Sequence, residues 1–389
     1  MTLHTYLAQD RHWALAHHKT LPNRTTGSVL LADISGFTPL TELLRDSLGS
    51  RRGAEELTKH LDAVYAAMIA AVEKFGGSVL GFAGDAITCW FDEAGGSSVS
   101  RATMCAFALQ EAMHTFAAIA LPNGTTLSLA LKVSVATGPA RRFVVGDPAI
   151  HSVDVLAGAT VIRTATAEHL ANKGEVLVDE ATVDALGPSL ILQEWRLDRE
   201  SGERFAVAEL FAETGEPIKQ APVPVLDAGI LQTWLHRTVF ERENSGQGSF
   251  LTEFRPCVVL FVRFMGIDYD ANVAEVQLDT FIRQTQSIVS RYDATLLQIT
   301  IGDKGSYAYI NLGALSAHED DARRAVKIAL ALRENAQALG FFTPLQIGIS
   351  QGVMRVGVYG GPTRRTYSAI GNDVNLAARL MLTAAPGEI

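Results

Sequence analysis

Residues 28–37 read SVLLADISGF, an apolar run of strand length that ends in an aspartate and a glycine-containing turn. A carboxylate at the mouth of a buried strand, here Asp33, is costly to bury unless a cation meets it. The turn of Ile34, Ser35 and Gly36 precedes helix-like sequence, so its backbone N–H groups can face an anion. A lone aspartate at a strand end is more often a turn former or a helix cap, so this stretch alone leaves a structural role open.

A second stretch, residues 76–91, strengthens the metal interpretation. Its sequence, GGSVLGFAGDAITCWF, predicts a hairpin with Gly84 and Asp85 at the turn, although aspartate is also a residue that such turns favour. If the hairpin pairs beside the first strand, Asp85 and Asp33 share one end of the sheet, where two carboxylates repel each other unless cations lie between them. Mg²⁺ suits such a site, because proteins usually hold it by one or two carboxylates plus phosphate oxygens. We therefore predict that Asp33 and Asp85 are metal ligands.

The composition indicates a globular chain long enough for two domains: 389 residues, of which 48% are hydrophobic and 19% charged. The net charge of −9 and the lack of a basic stripe argue against nucleic acid or an anionic membrane as a main partner. The three cysteines, Cys89, Cys105 and Cys257, lie inside apolar segments without disulfide or metal spacing, which favours a reducing, cytoplasmic compartment. The sequence shows neither a signal-peptide pattern nor an uncharged run of membrane length, so we predict no membrane span.

The order of elements in the first half predicts the fold class. Helices are predicted over 39–48, 54–75 and 102–121, and a strand over 127–137 with residues 141–146 returning as its partner. Together with the opening strand and the hairpin, this gives the order strand, helices, hairpin, helix, strand. That order is typical of a ferredoxin-like (βαββαβ-type) α+β sandwich.

The chain then repeats itself. Residues 256–266, PCVVLFVRFMG, are similar to the opening strand, with Arg263 in the position of Asp33, and the later elements follow in the same order. This repetition predicts two copies of one domain, which pair within the chain about a pseudo-twofold axis and place sites at their interface. The predicted boundaries are a helical lead at 1–27, a first domain at 28–213, a linker and connecting helix at 214–252 with the helix over 229–243, and a second domain at 253–389.

Five segments carry a resemblance to a known family: LADISGFT, FGGSVLGFAGDA, EFRPCVVLFV, GDKGS and YSAIGNDVNLAAR. With them the chain resembles the tandem catalytic core of class III nucleotidyl cyclases, specifically the soluble, bicarbonate-responsive adenylyl cyclase type. The resemblance implies one ATP site between the two copies, with metal ligands from the first and substrate contacts from the second. It also implies the reaction, which is conversion of ATP to 3′,5′-cyclic AMP and pyrophosphate by in-line attack of the ribose 3′-hydroxyl.

The resemblance also implies roles for individual residues. Asp33, Asp85 and the backbone carbonyl of Ile34 would hold two divalent cations, Mg²⁺ or Mn²⁺. The implied substrate contacts are the turn residues Ser35, Gly36, Phe37 and Thr38 and, in the second copy, Lys304, Ser368, Ala369, Asn375 and Arg379. Lys304 and Ser368 would contact adenine, Asn375 would orient the ribose, and Arg379 would stabilise the transition state. An exposed turn lysine and a solvated polar pair on a surface helix remain the alternatives for Lys304 and for the Asn375–Arg379 pair.

The second pseudo-symmetric pocket is predicted to be degenerate. Arg263 and Ala308 stand where the second copy would need metal carboxylates, and Gly81 stands where the first copy would need the adenine-contacting lysine. Only one site should therefore turn over ATP. The bicarbonate-responsive relatives hold the anion with a lysine and an arginine, and these positions correspond to Gly81 and Arg163 here. Because the lysine is missing, we predict little response to bicarbonate. The alternative is that Arg163 only pairs with an acid such as Asp154 at the interface.

Two further expectations concern the chain as a whole. A strand beginning at Gly387 is expected just where the sequence ends at Ile389, so the resemblance implies further C-terminal domains in a longer protein. The alternative function is a nucleotide-binding regulatory module with little turnover that controls such a domain. The presence of both Asp33 and Asp85 favours the enzyme, because a sensor need not keep both metal ligands.

Overall fold

A computed structural model of the chain describes residues 3–120, 124, 126–212, 218, 224–246, 253–302 and 305–389. The side chains of Thr38, Ser50, Arg51 and Ala54 are likewise not described. These residues form a mixed α+β structure with two large, mainly antiparallel sheets. Among the described residues we find no helix that combines the length and the apolar character needed to cross a bilayer.

The first sheet contains eight strands. In chain order the strands of this half are β1 (Arg24–Ser35), β2 (Ser78–Ala83), β3 (Ala86–Asp92), a separate short pair β4 (Ile119–Ala120) and β5 (Thr126–Leu127), β6 (Ala130–Val145), β7 (Val153–Ala157), β8 (Val176–Asp179), β9 (Leu190–Leu197) and β10 (Arg204–Phe211). The sheet order is β2-β3-β1-β6-β8-β10-β9, with β7 beside β6, and only the β6–β8 pair is parallel. The apolar opening run therefore lies at the centre of the sheet, and the hairpin pairs beside it as predicted.

Six α-helices accompany this sheet: α1 (Gln9–Ala16), α2 (Phe37–Leu48), α3 (Ser50–Lys74), α4 (Ser98–Met113), α5 (Ala159–Leu170) and α6 (Glu180–Leu186). Apolar residues spaced three and four apart form one face of α3, which is buried in the main core: Leu57, Leu61, Val64, Met68 and Val72. The Ser97 side chain caps α4 by accepting from the Ser100 N–H, so that helix begins four residues earlier than predicted. The predicted end at residue 121 is wrong, because the helix ends at Met113 and the chain then enters β4.

Between the sheets the chain forms two short helices, α7 (Ala228–Gln232) and α8 (Arg237–Asn244). The prediction of one connecting helix over 229–243 is therefore wrong. Asp227 caps α7 through the Gly229 N–H and His236 caps α8 through the Thr238 N–H, so each helix has its own start. Most of the predicted linker before α7 lies outside the described residues.

The second sheet has five strands and three helices. They are β11 (Glu253–Phe264), β12 (Thr295–Thr300), β13 (Ser306–Leu312), β14 (Gln346–Gly360), β15 (Arg365–Ile370), α9 (Ala274–Ser290), α10 (Asp321–Leu339) and α11 (Asn372–Thr383). The sheet order is β12-β13-β11-β14-β15, which matches the order β2-β3-β1-β6 at the start of the first sheet. The strand expected at Gly387 is not formed, although the Gly387 N–H donates to the Leu345 carbonyl at 2.8 Å, just as the Gly174 N–H donates to the Leu131 carbonyl at 2.7 Å.

Both long strands, β6 and β14, run past their own sheet. The prediction of two strands at 127–137 and 141–146 is wrong, because the chain continues in extended form through Gly138 and Pro139 rather than turning. The far end of β6 places Phe143 and Val145 in the apolar core of the second sheet. The far end of β14 places Tyr359 in the apolar core of the first sheet. Each sheet thus contributes a strand end to the core of the other.

Candidate functional site

Asp33 and Asp85 meet at one end of the first sheet. In the β1–β3 ladder Asp33 lies opposite Ala86, the residue that follows Asp85. The Ile34 N–H donates to the Asp85 carbonyl at 3.1 Å, which fixes the hairpin turn against the end of β1. The local signals that predicted this pairing, an apolar strand and a glycine–aspartate turn, therefore place the two carboxylates together.

Burial and mutual repulsion disfavour the charged forms of both carboxylates. Burial, the charge of Asp85 and the charge of Glu168 raise the pKa of Asp33 to about 7. Burial, with a contribution from Glu168, raises the pKa of Asp85 to about 6. A divalent cation would reverse these shifts by compensating both charges, so the chemistry of this donor pair fits Mg²⁺ or Mn²⁺.

Sequence reasoning did not identify two charged neighbours of this pair. Lys132 lies opposite Asp33 on β6, and its charge lowers the pKa of Asp33 in opposition to the burial effect. The Lys132 Nζ lies 3.3 Å from a carboxylate oxygen of Glu168 on α5, so its charge is shared between two acids. The only signal for Lys132 was its place as a charged residue in the apolar strand β6, whereas Glu168 carried no local signal.

Within the described residues no group of three or more His, Cys, Asp or Glu side chains is arranged to hold a metal ion. A metal at Asp33 and Asp85 would therefore draw its remaining ligands from backbone oxygen, water or substrate. This matches the preference of Mg²⁺ for sites with few protein carboxylates and several phosphate or water ligands.

A helix N-terminus follows the two carboxylates. Gly36 caps α2 with φ at +98°, and a Cβ atom at this position would lie 2.9 Å from the Ser128 carbonyl oxygen, so the turn requires glycine. The first-turn N–H groups of Phe37 and Thr38 have no carbonyl partner within the helix, while Pro39 has no N–H. Two amides thus face outward beside the carboxylates, where an anion can bind.

Ser368 lies on β15 and is 5% exposed. Its hydroxyl lies near the hydroxyls of Tyr309 and Tyr359, and it lowers the pKa of each in opposition to the effect of burial. Tyr309 donates its own proton to the Ala369 carbonyl at 3.2 Å. The Ser368 hydroxyl can act as a donor or as an acceptor towards a ligand.

The remaining predicted substrate contacts are Asn375, Arg379 and Lys304. Asn375 and Arg379 are both exposed on α11, one helical turn apart, as the spacing of four predicted. No contact that we describe joins either side chain to Asp33 or Asp85. Lys304 lies outside the described residues, and its role remains a prediction.

A cavity of about 200 Å³ lies between the two sheets, bordered by β2 and β7 on one side and by β12 and β15 on the other. Ser368 and Gln298 line it from the second sheet, and Gly81 lines it from the first. Nothing lies within 4 Å of the position where a Cβ of Gly81 would be, so the missing side chain leaves open space.

Arg163 does not line this cavity. Its Nε lies 3.0 Å from an Asp179 carboxylate oxygen, and one Nη donates to the Thr137 carbonyl at 2.9 Å. Arg163 thus pairs with an acid, as the alternative predicted, but that acid is Asp179 and not Asp154, which binds Arg11 and Arg142. The predicted combination of Gly81 and Arg163 in one regulatory pocket is thus not assembled by these contacts.

The position in the second sheet that corresponds to the carboxylate pair has different chemistry. Arg263 lies opposite Tyr307 and Gln346, as Asp33 lies opposite Ala86 and Lys132. The counterpart of Asp85 is therefore Ser306, so the alignment that gave Ala308 is wrong. Arg263 donates to Gln346 at 3.0 Å and Ser306 hydrogen-bonds to Tyr269 at 2.6 Å, so a guanidinium and hydroxyls occupy this place.

Comparison with known proteins gives concordant matches. The family model described as "Adenylate and Guanylate cyclase catalytic domain" matches residues 22–203 and 267–389. The protein named adenylate cyclase type 10 from Homo sapiens is 24% identical in a match over 383 residues, and the match covers 92% of this chain and 24% of that protein. The protein of the same name from Rattus norvegicus gives the same identity and coverage. The chain thus spans about a quarter of the length of the curated relatives it matches.

Among solved structures, a class III adenylyl cyclase-like ATP-binding protein from Pseudomonas aeruginosa superimposes with a TM-score of 0.61. The match covers 93% of this chain and 82% of that protein at 16% sequence identity, so it shows a shared fold.

Proposed function

Because the chain belongs to the adenylate and guanylate cyclase catalytic domain family, we propose that it converts ATP to 3′,5′-cyclic AMP and pyrophosphate at one site between its two sheets. The observation that carries this proposal is the meeting of Asp33 and Asp85 beside the first-turn amides of α2. A metal-binding pair next to an anion-binding helix end is what a nucleoside triphosphate with its divalent cations requires.

The two sheets represent two ferredoxin-like domains packed about a pseudo-twofold axis, at 28–213 and 253–389. Three observations support this arrangement: the shared strand order, the matching registers of β1 and β11, and the exchange of strand ends between the two cores. A site that takes metal ligands from one domain and substrate contacts from the other follows from such pairing.

Asp33, Asp85 and the Ile34 carbonyl would hold two Mg²⁺ or Mn²⁺ ions, which supply Lewis acidity towards the 3′-hydroxyl and the phosphates. The amides of Ser35 to Thr38 bind and orient the β- and γ-phosphates. The ribose 3′-oxygen then forms a bond to the α-phosphorus, the bond to the bridging oxygen of pyrophosphate breaks, and the hydroxyl proton leaves to solvent. We name no protein general base for that proton.

Arg379 offsets the negative charge that develops on the transferring phosphate, and Asn375, one turn earlier on α11, orients the ribose. Their exposure on α11 fits side chains that are ordered only when a nucleotide fills the space between the domains.

Ser368 and Ala369 border the base, with the hydroxyl oxygen of Ser368 accepting from the 6-amino group of adenine. Lys304 remains one candidate for the N1 contact. The ladder registers favour a second candidate, because Gln298 lies opposite Tyr309 as Gly81 lies opposite Thr88, and Gly81 is the position expected of a base-contacting lysine. A glutamine amide can donate to N1 of adenine or accept from N1–H of guanine, so Gln298 would make selection of ATP less strict.

The proposal is tested by cyclic AMP formation from Mn²⁺-ATP. Either Asp33→Asn or Asp85→Asn should lower the rate by at least about 100-fold, because each change removes a charged metal ligand. Asp184→Asn, at an exposed position on α6, is the matched control and should keep the wild-type rate. The same assay with GTP, repeated for Gln298→Lys and Lys304→Ala, identifies the base contact. If Gln298 faces the base, Gln298→Lys should raise the preference for ATP over GTP.

The alternative is a nucleotide-binding regulatory module with little turnover. The fold shared with a protein described as ATP-binding and cyclase-like favours retaining this candidate. It predicts that the wild-type chain binds Mn²⁺-ATP but forms no cyclic AMP. Further C-terminal domains and a cytoplasmic location also remain predictions.

A further inference from the structure

Tyr65, in the middle of α3, reaches the turn that carries Asp85. Its side chain is completely buried, and its hydroxyl donates to the Gly84 carbonyl at 2.5 Å. Gly84 has φ at +66° and no side chain with which to pack, so this hydrogen bond anchors the residue directly before Asp85. The Tyr65 ring also packs edge-on against Phe82, at the end of the strand that leads into the turn, with a centroid distance of 5.2 Å.

The same ring contacts the other sheet. Tyr359, near the end of β14, stacks on Tyr65 with a centroid distance of 5.8 Å and an interplanar angle of 28°. Tyr359 is 3% exposed, and its hydroxyl lies near that of Ser368. A continuous series of contacts therefore runs from the turn at Gly84, through Tyr65 and Tyr359, to Ser368 on β15.

We propose that Tyr65 is a positioning residue for the metal site, and that its contact with Tyr359 couples the Asp85 turn to Ser368 across the interface. The inference rests on the proposed function, since it assigns Asp85 to metal and Ser368 to the base. Tyr65 touches neither metal nor substrate and acts through the Gly84 carbonyl and through Tyr359.

Packing alone does not account for a tyrosine at position 65. A phenylalanine would fill the same space without the cost of burying a hydroxyl. The hydroxyl is instead directed at the backbone of the metal turn, where it restricts the carbonyl and hence the orientation of the next residue. Groups that orient metal ligands in this way typically change metal affinity by about 10- to 100-fold when they are removed.

The test compares Tyr65→Phe with Tyr269→Phe in the whole chain. Tyr269 is the matched control, because it is also a buried tyrosine, its hydroxyl bonds to Ser306 at 2.6 Å, and it lies at the corresponding end of the second sheet. Mn²⁺ binding is measured by electron paramagnetic resonance without nucleotide, and cyclic AMP formation is measured over a range of Mn²⁺ concentrations.

Tyr65→Phe should weaken Mn²⁺ binding about tenfold and lower the rate at limiting Mn²⁺, with recovery at saturating Mn²⁺. Tyr269→Phe should bind Mn²⁺ as the wild type does. A purely structural role for Tyr65 would not give a loss that excess metal restores. Tyr359→Phe, which keeps the stacking but removes the hydroxyl beside Ser368, should raise the KM for ATP and leave Mn²⁺ binding unchanged.

Unchanged Mn²⁺ binding in Tyr65→Phe overturns the inference, and so does an equal loss in Tyr65→Phe and Tyr269→Phe. If the wild type binds Mn²⁺ but forms no cyclic AMP, the proposed reaction fails, while the resonance measurements still decide the role of Tyr65. If the wild type binds no Mn²⁺, both proposals fall.

Discussion

Asp33 and Asp85 lie where ionisation of both is unfavourable without a cation. Lys132 compensates Asp33 only in part, because its ammonium group is shared with Glu168. The repulsion is a cost to folding that disappears when a divalent cation binds, so metal binding and stability should depend on pH together.

This linkage predicts the sign of the pH effect on stability. The pKa of Asp33 is about 7 in the folded chain, above the value of about 4 expected when unfolded, so the unfolded state loses this proton first as pH rises. Without metal, the melting temperature should therefore fall between about pH 4 and 7 by more in the wild type than in Asp33→Asn. Added Mn²⁺ should raise it at pH 8 and hardly at pH 5. Equal slopes for wild type and Asp33→Asn in EDTA would contradict this prediction.

The same residues show what the sequence could predict. Asp33 and Asp85 follow from local patterns, namely an apolar strand, a tight turn and their adjacency in a hairpin. The counterpart of Asp85 in the second sheet was misassigned to Ala308 because the two hairpins differ in length. Two residues separate β2 from β3, whereas five separate β12 from β13, so counting from Lys304 shifts the alignment by two positions. Only the strand register identifies Ser306 as the counterpart of Asp85 and Gln298 as the counterpart of Gly81.

At the scale of elements, ion pairs tie the N-terminal helix α1 to the first sheet, while Leu15 near its end packs against an apolar cluster. Arg11 on α1 lies 2.9 Å from Asp154 on β7, and Arg142 on β6 lies 2.6 Å from Asp154 and 2.7 Å from Asp10. Arg142 holds the pKa of the Asp154 carboxyl well below its usual range, despite the opposing effect of burial. Pairs so distant in sequence carry no local signal, so the pattern of single residues could not predict them.

We expect Asp154→Asn to destabilise the chain by about 3 kcal/mol, because it leaves two buried guanidinium groups without their shared carboxylate. The exposed pair Arg204–Glu180 provides the control, and Glu180→Gln should cost less than about 1 kcal/mol. The free energy of unfolding in urea measures both. Similar losses in the two variants would show that the Asp154 network contributes no more than a surface ion pair.

At the scale of the whole molecule, the exchange of strand ends should make folding of the two sheets interdependent. The sequence predicted the order of strands and helices along both halves, because it depends on patterns within 100 or so residues. The sequence did not predict that β6 continues into the core of the second sheet. Gly138 and Pro139 resemble a turn, and only packing against the other sheet favours an extended chain there. Phe143 and Tyr359 are core residues of the half that does not contain them in sequence.

This arrangement predicts a single cooperative unfolding transition for the chain instead of one for each half. Phe143→Ala removes a fully buried ring from the core of the second sheet and should cost about 3–5 kcal/mol. Because the ring belongs to a strand of the first sheet, the whole transition should shift to lower temperature with its calorimetric and van't Hoff enthalpies still equal. Ile191→Ala, at an exposed position on β9, should leave the transition within about 1 °C of the wild type. Two separate transitions in the calorimetric scan of the wild type, or a shift of only one of them in Phe143→Ala, would mean that each half folds on its own and that the exchanged strand ends couple them too weakly to matter.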